Sequence, residues 1–238
     1  MIDNLKSGKL GLTNNQLKII AMITMIIDHV GVALFPSTLI FRQIGRISFP
    51  IYAYLIAEGC RHTRSRKRYL GFIAIMALVF QAVYTVFLGS LYQGILVTFS
   101  LAIGLIFALE GVIKPKALEK RLFCGAIVLL ILFIGVACPI IFKEHGFQID
   151  YDIWGLTLPV LVYFAPNKQV KIVALLVFLT VMSAFSSGVQ WWSLLSVPLL
   201  ALYNGERGKR NMKYFFYILY PLHLVIIYGI MFLMMFFK

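Results

Sequence analysis

Long apolar runs, ended by glycine, proline, asparagine or charged residues, cover most of the chain. Runs of this length and hydropathy predict membrane-spanning helices, which need about 20 apolar residues each. The runs predict nine helices, at residues 17–35, 40–59, 69–89, 94–113, 121–141, 152–165, 170–187, 189–203 and 213–237. The sixth and eighth are short, and Arg42, Arg46 and Pro50 interrupt the second. The predicted fold class is all-α, a polytopic integral membrane helix bundle.

Composition supports a membrane protein with little soluble mass. Of the 238 residues, 61% are hydrophobic and 13% are charged, whereas soluble domains have about 45–50% and 25%. We therefore expect a single transmembrane domain, 1–238, with the lipid bilayer as its surroundings. The three cysteines lack the spacing of a zinc site or a disulfide framework, so no metal is expected. The net charge of +13 would suggest nucleic acid in a soluble protein, but here the basic residues lie between the helices, and no nucleic-acid partner is expected.

The basic residues also predict the orientation of the helices, because cytoplasmic loops collect lysine and arginine. With the N-terminus inside, the outer side keeps only Arg42, Arg46, Lys143 and Lys238. The inner segments then hold Lys6, Lys9, Lys18, Arg61, Arg64, Arg66, Lys67, Arg68, Lys114, Lys116, Lys120, Arg121, Lys168, Lys171, Arg207, Lys209, Arg210 and Lys213. We therefore predict an N-inside, C-outside topology. We expect no cleaved signal peptide, with the first helix serving as the insertion signal.

Asp28 and His29 lie inside the first apolar run, where burying a carboxylate costs about 2.5–3.5 kcal/mol or more. Asp28 lies about 16 Å into the helix, near mid-membrane, at about 1.5 Å per residue. Arg42 and Arg46 share one face of the second helix at a similar depth, so we expect Asp28 to pair with one of them. His223 lies at mid-depth in the last helix, after Pro221. Gln81, Glu58 and Glu110 are further polar insertions.

These polar residues allow structural as well as functional interpretations. Asp28 and His29 could be a purely structural pair, His223 a satisfied core histidine, and the two arginines interfacial anchors. Side chains of adjacent helical residues point about 100° apart. We therefore expect Asp28 to hold a neighbouring helix and His29 to face a reacting group.

Three separated segments resemble the TraX family. They are LKIIAMITMIIDHVG (17–31), IGRISFPIYAYLIAEG (44–59) followed by HT (62–63), and YNGERG (203–208) followed by KYFFYILYPLHL (213–224). The resemblance implies a membrane acetyltransferase of the bacterial cytoplasmic membrane that acetylates the N-terminal amine of an F-type conjugative pilin, with acetyl-CoA as co-substrate. The family is similar to a wider set of membrane acyltransferases that use an intramembrane histidine, which corresponds to His29. An Arg before Phe-Pro recurs there, which corresponds to Arg46, Phe49 and Pro50.

The predicted catalytic residues are therefore His29, Asp28, Arg46 and, with less support, His223. The predicted acetyl-CoA contacts are basic or turn-forming, since the planar fork of arginine suits phosphate; they are Arg61, Arg64, Arg66, Arg68, Asn204, Gly205 and Arg207. His29 would act as a general base or carry the acetyl group transiently. Arg46 would stabilise the oxyanion or pair with Asp28.

Three other functions stay open. A proton-coupled transporter also places Asp, His and Arg inside helices. A b-type haem protein would use His29 and His223 as axial ligands. A glycan O-acetyltransferase would use the same base on a hydroxyl, so the acceptor is either a pilin-like peptide or a glycan.

Overall fold

The computed structural model describes residues 10–114, 117–186, 188–208 and 212–236. It is almost entirely helical. Its α-helices are α1 (Asn14–Leu34), α2 (Leu39–Gly45), α3 (Ser48–His62), α4 (Arg66–Leu88), α5 (Ile95–Ile113), α6 (Leu118–Leu132), α7 (Cys138–Ile141), α8 (Asp152–Phe164), α9 (Lys168–Ala184), α10 (Ser196–Ala201) and α11 (Lys213–Phe236). A π-helical turn, Phe133–Ala137, joins α6 to α7, and a 3₁₀ segment, Gly188–Leu195, precedes α10. Two-residue strands β1 (Tyr92–Gln93) and β2 (Gln148–Ile149) pair in parallel.

The all-α fold class is confirmed, and each of the nine predicted runs is helical in the described residues. Among the described residues, four helices are long and apolar enough to cross a membrane: Asn14–Leu34, Arg66–Val86, Ile95–Ile113 and Leu118–Ile141. The nine crossings and the N-inside orientation stay predictions. The charges at Lys6, Lys9, Lys116, Lys209, Arg210 and Lys238 lie outside the described residues.

The second predicted helix is two helices, and the break is not at its proline. α2 ends at Gly45 and α3 begins at Ser48. Pro50 is the third residue of α3, in the first turn, where a backbone N–H has no partner within the helix. The proline therefore costs α3 no hydrogen bond.

The chain forms two compact units. In the first, Met1–Tyr52 with Leu175–Lys238, the described residues pack α1 against α2 and α11, and α2 against the 3₁₀ segment. In the second, Ala53–Ala174, α5 packs against α4, α6 and α8. The predicted single domain stays a prediction, because compact packing does not decide whether the chain folds and acts as one.

Each unit buries apolar side chains of a long helix in its core. In the first unit, α1 buries Leu17, Ala21 and Met25, spaced four residues apart, while Ile23 on another face is half exposed. This spacing places the three buried side chains on one stripe of the helix. In the second unit, Ile103 and Ile106 of α5 are fully buried.

Hydrogen bonds to the following loop explain why the polar Gln81 is found inside apolar α4 in the second unit. The Gln81 side chain donates to the Tyr92 carbonyl (2.9 Å) and accepts from the Gly94 backbone N–H (3.2 Å). The Tyr92 hydroxyl in turn donates to Asp150 Oδ1 (2.7 Å). Gln81 therefore binds the loop between α4 and α5, and Tyr92 joins that loop to the one before α8. The predicted topology places both loops on the outer side.

Single cysteines in the loops test the predicted orientation. Lys67 and Glu144 are both exposed, and the topology places them on opposite sides of the membrane. With the three native cysteines replaced by alanine, Glu144→Cys should react with a membrane-impermeant maleimide in right-side-out vesicles. Lys67→Cys should react only after permeabilisation.

Lys120→Cys, in another exposed inner segment, is the matched control and should behave as Lys67→Cys does. Labelling of Lys67→Cys and Glu144→Cys from the same side would contradict the topology.

Candidate active site

Two glycines let α2 lie directly against α1 in the first unit. Gly45 is buried at the end of α2, and a Cβ placed there would overlap the Asp28 side chain. A Cβ on Gly31 of α1 would overlap Phe41 of α2. Small residues at such crossings allow close approach of helices in membranes. Close packing therefore brings the α2 backbone to the Asp28 carboxylate.

Asp28 pairs with Arg42, so the predicted pairing of Asp28 with one of the two arginines is confirmed. Arg42 Nη1 donates to Asp28 Oδ2 at 2.7 Å, and the Asp28 side chain is only 19% exposed. The positive charge of Arg46 also attracts the Asp28 carboxylate. Pairing within the protein reduces the cost of placing a carboxylate among apolar helices.

His29 contacts His223 of α11 and not the neighbouring Asp28. His29 Nδ1 and His223 Nε2 are 2.9 Å apart, and the ring planes differ by 23°. The His223 side chain is buried, and its Nδ1 lies 3.1 Å from the Leu219 carbonyl oxygen. Asp28 thus holds α2 while His29 points to α11, so the divergence expected from their adjacent positions is observed.

This contact does not fit a haem held between the two histidines. Metal–imidazole bonds are about 2.0–2.1 Å long, so two axial nitrogens lie about 4 Å apart across a metal. The observed 2.9 Å is a direct hydrogen-bond distance. Within the described residues, no group of three or more His, Cys, Asp or Glu side chains is placed to hold a metal ion.

The predicted phosphate-binding arginines in the second unit fall into two pairs. Arg61 donates to the carbonyls of Tyr163 and Ala165, and Arg66 forms an ion pair with buried Glu110. Arg64 and Arg68 are exposed, and neither forms an ion pair in the part of the chain that the structure describes. The first pair therefore holds helix ends together, and the second pair is available to a ligand.

The YNGERG segment lies along the start of α1 in the first unit. The carbonyls of Glu206 and Arg207 accept from the backbone N–H groups of Asn14 (2.8 Å) and Asn15 (3.3 Å). Asn204 Oδ1 accepts from the Glu206 N–H at 2.9 Å, and Gly205 has a φ of 81°, which favours glycine. Asn204 and Gly205 therefore shape the turn, and Arg207 is left exposed beside it.

Sequence reasoning missed a buried ion pair in the second unit. Lys171 of α9 pairs with Glu58 of α3, with side chains 7% and 9% exposed, and the Lys171 ammonium lies 5.4 Å from the Tyr54 ring centroid. His62 Nε2 is 3.3 Å from the other Glu58 oxygen. The predicted topology could have indicated this pair, because it places Glu58 and Lys171 at helix ends on the same, inner side of the membrane.

Comparison with known proteins agrees with the resemblance. The TraX protein family model matches residues 13–231. The chain belongs to the TraX family. It is also 25% identical to the probable fimbrial assembly protein FimC, serogroup H1, of Dichelobacter nodosus, over 89% of this chain and 93% of that protein. No solved structure matches.

Replacing the glycine between α1 and α2 tests the packing at the site. In Gly45→Ala the new methyl group would overlap the Asp28 side chain, so we expect about 1–3 kcal/mol of destabilisation from overpacking. Thermal unfolding in detergent should show a Tm several degrees lower.

Gly71→Ala in α4 is the matched control, because no atom lies within 4 Å of the added methyl group. Its Tm should be unchanged or slightly higher, since alanine favours a helix. A Gly45→Ala protein as stable as wild type would mean that the close approach of α2 to Asp28 is wrong.

Proposed function

We propose that this TraX-family protein is a bacterial inner-membrane acetyltransferase that moves an acetyl group from cytosolic acetyl-CoA to the N-terminal amine of a pilin-like peptide. Family membership supports this proposal, since the resemblance implies pilin N-acetylation. The similarity to a probable fimbrial assembly protein favours a peptide acceptor, because fimbriae are polymers of pilin subunits.

The observation that carries the proposal is the hydrogen-bonded His29–His223 pair beside the Asp28–Arg42 ion pair. A general base must be held in position and must reach its substrate in the form that accepts a proton. His29 is held from one side by α11, and its neighbour Asp28 is tied to α2. An imidazole held in this way within apolar helices is suited to proton transfer.

The reaction needs one proton acceptor and one source of positive charge. The acceptor amine attacks the thioester carbonyl carbon, the new N–C bond forms as the C–S bond breaks, and His29 takes the proton that the nitrogen loses. CoA leaves as a thiolate that is then protonated to the thiol. Arg46, whose charge reaches Asp28, would stabilise the oxyanion in surroundings of low dielectric constant.

The contacts in the two units refine the acetyl-CoA residues proposed from sequence. Exposed Arg64 and Arg68 in one unit and exposed Arg207 in the other fit phosphate binding. Arg61 and Arg66 are proposed to shape their loop instead, since backbone carbonyls and Glu110 occupy them. Asn204 and Gly205 would present Arg207 on its turn.

A glycan O-acetyltransferase is the second candidate within the same chemistry, because the same base serves a hydroxyl acceptor. A proton-coupled transporter is the candidate from another class. The partly buried Asp28–Arg42 ion pair beside the His29–His223 pair is the observation that favours it. Transport would proceed without consumption of acetyl-CoA.

Label transfer from radioactive acetyl-CoA in proteoliposomes tests the proposal. With a pilin-like peptide and a hexosamine offered as acceptors, wild type should label the peptide. His29→Gln should lower the rate by about 100-fold or more, as expected for loss of a general base. Arg46→Ala should also lower the rate.

His145→Gln is the matched control, because His145 is an exposed histidine of the second unit, and its rate should equal that of wild type. Full label transfer by both His29→Gln and Arg46→Ala would exclude this mechanism. Labelling of the hexosamine in place of the peptide would favour the glycan candidate.

A further inference from the structure

We propose that His223 is a positioning residue that fixes the tautomer of His29, so that Nε2 of His29 is the atom that takes the proton. This inference rests on the proposed function for its catalytic meaning. His223 thereby decides which nitrogen of His29 reacts.

The Leu219 carbonyl oxygen, which can only accept a hydrogen bond, determines which nitrogen donates in each of the two bonds. The Leu219 carbonyl oxygen has no proton, so His223 Nδ1, 3.1 Å away, must carry the hydrogen of that bond. A neutral imidazole has one N–H, which leaves Nε2 of His223 as an acceptor. The 2.9 Å contact then requires that His29 Nδ1 donates. Nε2 of His29 is therefore left with its lone pair.

The opposite arrangement would disable the base. If His223 were a cation, both of its nitrogens would donate, and His29 Nδ1 would have to accept. His29 would then carry its own proton on Nε2. Charged groups inside membrane helices are costly, so two neutral rings linked in the first direction are the favoured resting state.

The ring geometry supports a hydrogen bond and not a face-to-face stack. The centroids are 5.1 Å apart and the planes differ by 23°, whereas the nitrogens are 2.9 Å apart. The centroid separation exceeds the nitrogen separation by about one ring diameter, so the rings meet edge to edge in nearly one plane. Imidazole lone pairs and N–H bonds lie in the ring plane, which is the direction that this bond needs.

His223 is itself held on several sides. The Tyr220 ring meets it edge-on, with centroids 5.6 Å apart and planes at 72°. The Leu219 carbonyl fixes Nδ1, and the side chain is only 4% exposed. A ring fixed in this way can hold a neighbouring imidazole in one tautomer, as the third member of a catalytic triad holds its histidine.

In the described residues no hydrogen bond is made to Nε2 of His29, which leaves that atom to a substrate. When Nε2 accepts the amine proton, the charge on His29 is partly shared with His223 through the Nδ1–H bond. If an acetyl-imidazole forms instead, the new N–C bond forms at Nε2 while the thioester C–S bond breaks and CoA departs as thiolate.

Nitrogen-15 NMR of ring-labelled histidine in the full chain tests the tautomer directly. The chain has four histidines, and the variants His62→Asn and His145→Asn assign the two exposed ones. We expect the Nδ1–H tautomer for both His29 and His223. In His223→Leu, which cannot accept a hydrogen bond, His29 should shift to the Nε2–H tautomer.

Kinetics of a matched pair of variants separate positioning from folding. In His223→Leu, kcat should fall by about 10- to 100-fold, with the KM for acetyl-CoA changed by less than about threefold, since the wrong tautomer impairs only the chemical step. In His223→Gln the amide oxygen can accept from His29 Nδ1–H, so most of kcat should return.

An Nε2–H tautomer on His29 in wild type would overturn the inference. So would a His223→Leu protein with unchanged tautomer and kcat, or equal loss of kcat in the Gln and Leu variants when both bind acetyl-CoA normally. The two claims fail separately: an Nδ1–H tautomer without any acetyl transfer would leave the hydrogen-bond direction intact and remove the proposed function.

Discussion

A polar group inside an apolar helix must find its partner within the protein, and this constraint organises the first unit. Arg42 of α2 binds Asp28 Oδ2, and His223 of α11 binds His29 Nδ1. Gly45 provides the space that brings α2 to Asp28. Two adjacent residues of α1 thus connect it to two other helices, and these connections hold the imidazole in position.

The two units use the polar groups inside their helices differently. In the second unit, Glu58 pairs with Lys171 and Glu110 with Arg66 and Lys114, at the ends of helices. Each carboxylate there meets basic groups on its own unit, which favours a structural role. In the first unit, the hydrogen bonds run from the Leu219 carbonyl through His223 to His29 and stop at Nε2. A hydrogen-bond chain that stops at a basic nitrogen is what proton transfer to a substrate needs.

Hydropathy predicted the helices well because the length of an apolar run and the charge of its flanks are local properties. It named Arg46 as one of three interruptions of the second helix but could not distinguish it from Arg42 and Pro50 as the site of the break. It also could not predict the 3₁₀ segment at Gly188–Leu195 or the contact of His29 with His223. These features depend on how each helix is rotated and on which neighbour it meets. Depth along the helix brought Asp28 and the two arginines together in the prediction, but only the structure distinguishes Arg42 as the hydrogen-bonding partner.

Sequence alone also could not decide which arginines near the α3–α4 loop are available to a ligand. The sequence placed four arginines near one another, and arginine suits phosphate. The structure shows that Arg61 and Arg66 are already bound by carbonyls and Glu110, because those residues face α8 and α5 when the second unit packs. Composition identifies a candidate set, and packing decides which members remain available.

The most direct test of acetyl transfer compares two synthetic pilin-like peptides that differ only at the N-terminus, one with a free amine and one with the amine already blocked. The purified full chain in liposomes receives acetyl-CoA, and mass spectrometry of the peptides is the readout. The proposed function predicts one acetyl group, on the N-terminal nitrogen of the free peptide alone. Acetylation of neither peptide, with no CoA released, would contradict it.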